Sequence, residues 1–264
     1  MAATVPTAES RLRILHLTDP HLFASADGAL RDVVTWDSLS LVLRHQLHSG
    51  WKADLAIVTG DIVQDDSAAA YDRFRHGLIT LGVPVLCVPG NHDVDVLMEA
   101  VCADPPFQYC TIGAHGNWLL AGLDSSLAGE PGGEISEGEF ERLHDAIEET
   151  ESEHVLVYLH HPPVVLGSDW LDQVGLVNGP DALREFARTG RVRIVLFGHA
   201  HQAYDGTHNG MRIHGTPSTC RQFRPGSSTF AVDDRPPAYR RLELAADGTF
   251  STELVWLDAP SLDA

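Results

Sequence analysis

The sequence predicts a layered α/β fold, and three observations support this prediction. Short apolar runs rich in Val, Ile and Leu alternate with longer segments that carry apolar residues at helical spacing. Five of the apolar runs end in a polar motif that contains Asp, Asn or His. The chain has 264 residues, of which 44% are hydrophobic, so one domain can bury a substantial core.

The N-terminal half follows a β-α-β-α-β order. Strands are predicted at residues 12–18, 54–59 and 83–88. Helices are predicted at residues 36–48, 67–81 and about 94–101, and a polar loop at residues 24–31. In the first helix Leu39, Leu43 and Leu47 recur at helical spacing and Gly50 follows its end, as expected for an amphipathic helix that packs on a sheet.

The C-terminal half is richer in strands. These are predicted at residues 107–112, 117–122, 154–159, 192–197, 202–208, 211–215, 229–232, 239–244 and 249–256. Helices are predicted at residues 136–149 and 180–188, the second capped by Asn178, and long loops at residues 127–134 and 162–175. Two hairpins are expected, one around residues 113–116 and one at Asn209-Gly210, which is the strongest short hairpin signal in the chain.

Composition limits the partners of the chain. A net charge of −19 and a pI near 5.0 argue against a nucleic-acid-binding protein, because phosphates are bound by excess Lys and Arg. A small phosphorylated substrate remains possible, since bound metal ions can supply positive charge. The four cysteines lack CxxC spacing and are expected to be buried thiols.

The sequence also predicts the location of the protein and the limits of its domain. The sequence shows neither a signal peptide nor an apolar run of about 20 residues, so a cytoplasmic protein that does not bind membranes is predicted. We expect flexible ends at residues 1–11 and 258–264 and a single domain over residues 12–257.

Polar motifs follow five of the predicted strands. They are Asp19-Pro20-His21, Gly60-Asp61, Gly90-Asn91-His92-Asp93, His160-His161 and Gly198-His199-Ala200-His201. Ligands of open α/β sheets bind at the carboxyl ends of the strands, so these motifs are expected to meet. Asp, Asn and His ligands without cysteine favour Mn, Fe, Co or Zn ions. Seven or eight ligands suit two ions that share a carboxylate, the arrangement that hydrolyses phosphoesters through a water activated between the metals.

These motifs resemble, in order, the five motifs of the calcineurin-like metallophosphoesterases, and the resemblance covers residues 12–201. It implies a four-layer α-β-β-α sandwich with two packed mixed sheets. It also implies two divalent metal ions per chain, one held by Asp19, His21, Asp61 and His201 and the other by Asp61, Asn91, His160 and His199. His92 would stay free of metal and protonate the leaving oxygen as the catalytic residue, and Asp93 would orient its imidazole.

A narrower resemblance points to the substrate. Residues 170–178, residues 215–223 and Tyr239-Arg240 resemble the bacterial class III 3′,5′-cyclic AMP phosphodiesterases, which implies hydrolysis of cyclic AMP, or of another cyclic nucleotide, to the 5′-monophosphate by metal-bound hydroxide. The implied substrate contacts are Asn91, His92, His161, Asp172, Asn178, Thr216, Ser218 and Thr219. Adjacent residues of a strand point to opposite faces, so His161 is expected to support the site while His160 is the ligand.

Two alternatives remain open. The metal core does not select the leaving group, so a phosphodiesterase or phosphatase for another small ester, such as a glycerophosphodiester, is the second hypothesis. A catalytically silent binding protein is the third, although every motif is intact, His92 included. The sequence does not distinguish a monomer from a homodimer.

Overall fold

A computed structural model describes residues 11–257 of the chain. Its strands are β1 (Leu12–Leu17), β2 (Ala29–Leu30), β3 (Val33–Val34), β4 (Leu55–Thr59), β5 (Val85–Val88), β6 (Phe107–Tyr109), β7 (Ile112–His115), β8 (Trp118–Gly122), β9 (His154–Tyr158), β10 (Val192–Phe197), β11 (Tyr204–His208), β12 (Met211–Gly215), β13 (Gln222–Phe223), β14 (Val232–Asp233), β15 (Ala238–Leu244) and β16 (Phe250–Trp256). Its helices are α1 (Thr35–His48), α2 (Ala68–Leu78), α3 (Asp95–Val101), α4 (Glu137–Glu149), α5 (Asp169–Asp172) and α6 (Gly179–Arg188), and a 3₁₀ turn at Ile79–Leu81 follows α2.

Most of the strands belong to two six-stranded mixed sheets. The first has the order β16-β15-β1-β4-β5-β6, and the second has the order β11-β12-β10-β9-β8-β7. Each sheet contains one run of parallel strands, which is β1-β4-β5-β6 in the first sheet, with β6 at its edge, and β12-β10-β9-β8 in the second. The carboxyl ends of neighbouring parallel strands therefore lie at one edge of each sheet, which is where the polar motifs follow.

Each strand of the two sheet interiors is buried on both faces. In β4, Ala56 and Val58 pack in a cluster with α1, α2 and α3, whereas Leu55 and Ile57 pack between the sheets. The second sheet packs in the same way against α4 and α6 on its outer face. Burying a side chain such as Ile57 contributes about 1.5–3 kcal/mol. The layers are α, β, β and α, so the predicted four-layer sandwich is confirmed.

The predicted hairpin around residues 113–116 is wrong in its first strand. β6 pairs in parallel with β5 at the edge of the first sheet, whereas β7 and β8 form a hairpin of the second sheet that turns at Gly116-Asn117. Phe107 packs on Phe74 in the outer cluster of the first sheet, and the left-handed Cys110 (φ 44°) marks the crossing to the other sheet. The pattern of apolar residues does not indicate that β6 and β7 lie in different sheets.

Several shorter elements differ from the predictions. The strand expected at residues 229–232 is the two-residue β14, which pairs with β13. A small β2–β3 hairpin and the four-residue α5 lie at segments predicted as loops, because elements this short show no periodicity. Asn178 precedes α6, but its side chain bonds the backbone of Ile135 and makes no cap. The hairpin at Asn209-Gly210 is confirmed, with φ angles of 47° and 82°.

The ends of the chain, its helices and its cysteines bear on the remaining predictions. Most of the ends predicted to be flexible, residues 1–10 and 258–264, lie outside the described residues. Within residues 11–257, every helix is too short or too polar to cross a bilayer. All four cysteines are free thiols, and Cys87, Cys102 and Cys220 are buried as expected.

Candidate metal centre

The five motifs meet where strands of both sheets end. β1 leads to Asp19 and His21, β4 to Asp61, and β5 to Asn91 and His92. From the second sheet, β9 leads to His160, and β10 leads to His199 and His201. The structure therefore brings together all seven predicted metal ligands and the predicted catalytic histidine.

One group of candidate ligand atoms lies around Oδ2 of Asp61. His21 Nε2 lies 3.6 Å from Asp61 Oδ2 and 3.0 Å from His201 Nε2. His201 Nε2 lies 3.3 Å from Asp19 Oδ1. We call Asp19, His21, Asp61 and His201 the first quartet.

A second group surrounds the other oxygen of the same carboxylate. His160 Nε2 lies 3.4 Å from Asp61 Oδ1 and 3.3 Å from Asn91 Oδ1. His199 Nδ1 lies 3.0 Å from Asn91 Oδ1 and 3.2 Å from His160 Nε2. We call Asp61, Asn91, His160 and His199 the second quartet. Asp61 thus belongs to both quartets, with one oxygen facing each.

Backbone conformation at the ligands is unusual. Asp19, His21, Asp61, His199 and His201 are all non-glycine residues with left-handed φ angles, between 47° and 64°. Such conformations are uncommon outside glycine, and they cluster at functional sites where the surrounding fold holds them. The turns after β1, β4 and β10 are therefore shaped to aim side chains at one point.

Glycine makes the close approach of these turns possible. A Cβ atom added at Gly90 would lie 2.2 Å from Asp61 Oδ1, and one added at Gly198 would lie 2.1 Å from Thr18 Oγ1. Neither contact can be relieved without moving a ligand or its neighbour. Gly90 and Gly198 are thus required by the packing of the ligand loops.

Hydrogen bonds behind the ligands fix their orientation. His160 Nδ1 lies 2.7 Å from the carbonyl of Thr59, and His201 Nδ1 lies 2.5 Å from the carbonyl of Arg221. A carbonyl can only accept, so each Nδ1 donates and each Nε2 faces its quartet, where it offers a lone pair once its proton is displaced. Asp19 is held by the Thr18 hydroxyl at 2.6 Å and by the His199 amide at 3.1 Å.

The electrostatics of the centre are dominated by the two buried carboxylates. Burial alone would raise the pKa of Asp61, but His160 and His21 outweigh it and hold that pKa well below its usual value. Burial opposes protonation of His160, yet Asp61 outweighs it and raises the pKa of His160 to about 9. This negative field attracts any cation that can enter.

His21 and His199 are neutral near neutral pH. Burial lowers the pKa of His21 to about 4 and that of His199 to about 3. A neutral imidazole is the form that binds a metal ion.

The donor set fits two divalent metal ions. Nitrogen and oxygen ligands at about 2.0–2.2 Å from an ion lie about 3.0–3.5 Å from one another. The measured separations, from 3.0 to 3.6 Å, agree with this spacing in both quartets. Lone pairs that face carboxylate oxygens at such distances need a proton or a cation between them, and two ions sharing Asp61 meet that need.

His92 lies beside the quartets and lines the pocket above them. Its backbone amide donates to Asp61 Oδ1 at 2.9 Å, and its imidazole stands edge-on to His21 with ring centroids 5.1 Å apart. The side-chain nitrogen of Gln64 lies 3.3 Å from His92 Nδ1. Sequence reasoning missed Gln64, although it follows Asp61 by only three positions.

Asp93 does not contact the His92 imidazole, contrary to the expectation. Its carboxylate accepts hydrogen bonds from the amides of Gly90 and Ile62 and from the Tyr71 hydroxyl. Burial, followed by the charge of Asp61, raises the pKa of Asp93 to about 7. Asp93 therefore holds the loop after β5 in shape.

The chain matches known proteins over most of its length. The profile of the calcineurin-like phosphoesterases matches residues 12–203. The chain belongs to this family. The predicted family membership is therefore confirmed.

Relatives with named activities are similar over nearly the whole chain. A 3′,5′-cyclic adenosine monophosphate phosphodiesterase of Escherichia coli strain K12 is 41% identical over 255 residues, which cover 95% of this chain and 92% of the relative. A 3′,5′-cyclic-nucleotide phosphodiesterase of a Nostoc species is 31% identical, with 92% and 91% covered.

A solved structure supports the fold alone. The crystal structure of a dimetal phosphatase from Danio rerio superposes with a TM-score of 0.63 at 16% identity. The match covers 89% of this chain and 96% of that protein. At this level of identity it carries no information on the substrate.

His161 lies inside the site of this calcineurin-like phosphoesterase, but away from the pocket surface. It is fully buried, and its Nδ1 lies 2.9 Å from the Ser125 hydroxyl. The strand rule that separated His160 from His161 does not apply, because β9 ends at Tyr158 and both rings turn toward the centre, 4.8 Å apart. His161 therefore packs behind the second quartet.

Three predicted substrate contacts lie behind the metal ligands. Thr216, Ser218 and Thr219 are completely buried. The Ser218 hydroxyl donates to the carbonyl of Asp19, and that of Thr219 donates to the carbonyl of Thr18. The Thr216 hydroxyl contacts His16 in β1. The structure does not bring these three hydroxyls into the pocket.

Asp172 and Asn178 also lie outside the pocket lining. Asp172 accepts from the amides of Leu166 and Gly167, and Asn178 bonds both backbone groups of Ile135. The structure thus gives both side chains a loop-bracing position. Among the predicted substrate contacts, Asn91 and His92 line the pocket.

A cavity of about 320 Å³ opens above the quartets, a size suited to a small molecule. Its floor is polar and contains His21, Asp61, Gln64, Asn91, His92, His199 and His201. Its remaining lining is mostly apolar and contains Leu30, Arg31, Pro131, Trp170, Leu171, Val174, Phe223 and Phe230. The resemblance to the cyclic AMP phosphodiesterases included the segments that carry Trp170, Leu171, Val174 and Phe223, but named none of these side chains as a substrate contact. Leu30, Pro131 and Phe230 lie on other segments without a ligand-type motif.

Proposed function

We propose that the chain is a dimetal phosphodiesterase that hydrolyses 3′,5′-cyclic AMP to the 5′-monophosphate. The observation that carries this proposal is the pair of ligand quartets that share Asp61, one oxygen facing each. Paired metal sites of this kind suit the displacement of an oxygen at phosphorus. The activities named for the Escherichia coli and Nostoc relatives support a cyclic nucleotide as the substrate.

The reaction needs an attacking water, charge neutralisation and a proton donor. Two divalent ions bound by the quartets would supply positive charge for the phosphate and acidify a water for attack on phosphorus. As the P–O3′ bond breaks, His92 donates its Nε2 proton to the departing 3′ oxygen. Asp61 would contribute to holding both ions, and Asn91, a member of the second quartet, also lines the pocket.

The ligand atoms also limit the choice of metal. Nitrogen and oxygen donors without sulfur suit Fe, Mn, Zn or Co, and we propose two such ions per chain. Four further points stay predictions. They are that the protein binds neither nucleic acid nor membranes, that it is cytoplasmic, that it is a monomer or a homodimer, and that residues 12–257 form a single domain.

Removal and return of the metals tests the proposal. Purified protein is stripped with a chelator, reloaded with each metal, and assayed with cyclic AMP, cyclic GMP and bis(p-nitrophenyl) phosphate. We expect two bound ions per chain, hydrolysis only after reloading, and the highest kcat/KM with a cyclic nucleotide. Full activity of the stripped protein would contradict the proposal.

A matched pair of variants ties the activity to the shared carboxylate. Asp61→Asn removes a charge that both quartets use, whereas Asp72→Asn removes the same charge from an exposed position of α2. We expect Asp61→Asn to lose metal and at least a hundredfold in kcat, with Asp72→Asn unchanged.

The same assays decide between the other hypotheses. Preference for a glycerophosphodiester over both cyclic nucleotides would replace the proposed substrate. Two bound ions without hydrolysis of any of these esters would indicate a silent binding protein.

A further inference from the structure

Three aromatic side chains form one wall of the pocket. We call Trp170, Phe223 and Phe230 the aromatic wall. Each pair of these rings meets edge to face, with centroids 5.2 to 5.3 Å apart and interplanar angles of 69° to 71°. Such pairs hold one another in fixed orientations, so the wall is a preformed surface.

The aromatic wall adjoins the first quartet directly. Phe223 stacks on the imidazole of the metal ligand His201, with centroids 4.2 Å apart and planes 9° apart. A molecule whose phosphate lies at the quartets therefore has its remaining atoms within reach of these rings. The aromatic wall and the first quartet are thus in direct contact through Phe223 and His201.

Phe230 is the accessible part of the wall. It is 44% exposed, although it is a large apolar side chain at the pocket lining. The guanidinium of Arg31 lies over its ring, 4.8 Å from the centroid. Exposed aromatic rings at a pocket mouth often mark a binding surface, and a cation on one side keeps the ring in place.

The wall stands on segments that hold no metal ligand. Trp170 lies in α5, Phe223 in β13, and Arg31 in the turn between β2 and β3. The buried Ser168 hydroxyl, just before α5, accepts from the amide of Gly226, after β13, and from the Gln202 side chain. Phe223 contacts His201, so it is changes at Trp170 and Phe230 that should leave the metal ligands in place.

The proposed substrate supplies a group that fits this surface, and the inference rests on the proposed function in this respect. A cyclic nucleotide carries a flat purine beside its charged phosphate. Bases stack on aromatic side chains through their faces, which are alike in all bases. The polar hydroxyls of a glycerol group find no hydroxyl, amide or carboxylate side chain among Trp170, Phe223 and Phe230.

We propose that Trp170, Phe223 and Phe230 form the subsite that binds the purine base, and that Arg31 holds Phe230 in position. Since stacking does not read the edge of a base, this subsite favours nucleotides over phosphates without a base and separates adenine from guanine only weakly.

Ligand binding tests the proposal without using turnover. The probes are adenosine 5′-monophosphate and ribose 5-phosphate, titrated into the metal-loaded protein while tryptophan fluorescence and calorimetric heat are followed. We expect the wild type to bind the nucleotide at least tenfold more tightly than the sugar phosphate. Trp170→Phe should remove most of the fluorescence change on binding.

Three variants locate the preference in the wall. Phe230→Leu and Trp170→Leu should each lower affinity for the nucleotide about tenfold, with little change for ribose 5-phosphate. Phe250→Leu removes an aromatic ring from β16, outside the pocket lining, and should bind both probes like the wild type. Metal content and thermal melting are measured for each variant, and the two wall variants test the same surface independently.

The outcomes separate this proposal from the proposed function. Equal affinity of the wild type for both probes would overturn the base subsite, and so would equal loss of both probes in the two wall variants. Tighter binding of the nucleotide through the wall, without hydrolysis of cyclic AMP, would support the subsite and overturn the proposed activity.

Discussion

The side-chain nitrogen of Gln64 lies 3.3 Å from Nδ1 of His92. An amide nitrogen can only donate, so Nδ1 of the imidazole accepts in this contact. Nε2 is thus left as the nitrogen that can hydrogen-bond a departing oxygen. Gln64 therefore positions His92 from a segment that follows the shared ligand Asp61.

Replacing Gln64 with leucine keeps its approximate size and removes the hydrogen bond. We expect kcat for cyclic AMP to fall about tenfold, because the His92 imidazole is no longer held in the orientation that presents Nε2, with KM and metal content unchanged. Gln108→Leu, at an exposed position of β6, is the control. Wild-type kcat in Gln64→Leu would show that the contact has no role in turnover.

Asn91 and His92 are adjacent, yet they should give different phenotypes. Asn91→Ala removes a ligand of the second quartet, so we expect one ion per chain and a large loss of kcat. His92→Ala should keep two ions and lose about 10²–10⁴-fold in kcat, the usual contribution of a proton donor. Metal analysis together with kcat distinguishes the two, and His48→Ala on the exposed end of α1 is the control. Loss of metal in His92→Ala would place this residue among the ligands.

Metal removal should also destabilise the fold. Two buried carboxylates, Asp19 and Asp61, share the centre, and bound cations offset their repulsion. A ligand present at a thousandfold above its Kd stabilises the folded state by about 4.1 kcal/mol. We expect the Tm to fall on chelation and to recover on addition of metal. An unchanged Tm would mean that the quartets hold no ion tightly.

The metal centre could be predicted from the sequence because its geometry follows from strand order. Asp19, Asp61 and Asn91 come directly after parallel neighbours of one sheet, and His160 and His199 after parallel neighbours of the other. Parallel strands end at the same edge, so spacing along the chain does not matter. Residue type then suffices to name candidate ligands.

Residues around the centre could not be predicted in this way. Thr216 and Ser218 follow a strand end as the ligands do, but the turn after β12 directs Thr216 to His16 and Ser218 to the carbonyl of Asp19. Trp170 and Phe230 lie in segments with no periodic pattern, and their meeting depends on the tertiary packing of loops. For a similar reason the sequence could not show that β6 belongs to the first sheet and β7 to the second. The alternation of apolar residues along a strand is the same in either sheet.

A buried histidine between the sheets predicts a pH effect on stability. His16 lies between the hydroxyls of Thr59 and Thr216, at 2.9 and 2.8 Å. Burial, followed by the charge of Arg240, lowers the pKa of His16 from 6.5 to about 3. Between these values the unfolded chain binds the proton and the folded chain does not. The stabilising contribution of neutral His16 is therefore complete above pH 6.5 and is lost as the pH falls toward 3.

Replacing His16 with glutamine should remove this pH dependence. The free energy of unfolding is measured with denaturant at pH 7 and pH 5 for metal-free wild type and His16→Gln, so that the other histidines contribute equally to both. Over the range from pH 6.5 to 5, the wild type should lose about 2 kcal/mol more than the variant, at about 1.4 kcal/mol per pH unit. Hydrogen bonds that glutamine fails to make change the free energy of unfolding equally at pH 7 and at pH 5. They therefore cancel when the losses between the two pH values are compared. Equal losses in the two proteins would mean that His16 accepts a proton in the folded state. The hydroxyls of Thr59 and Thr216 would then accept hydrogen bonds from the two ring nitrogens.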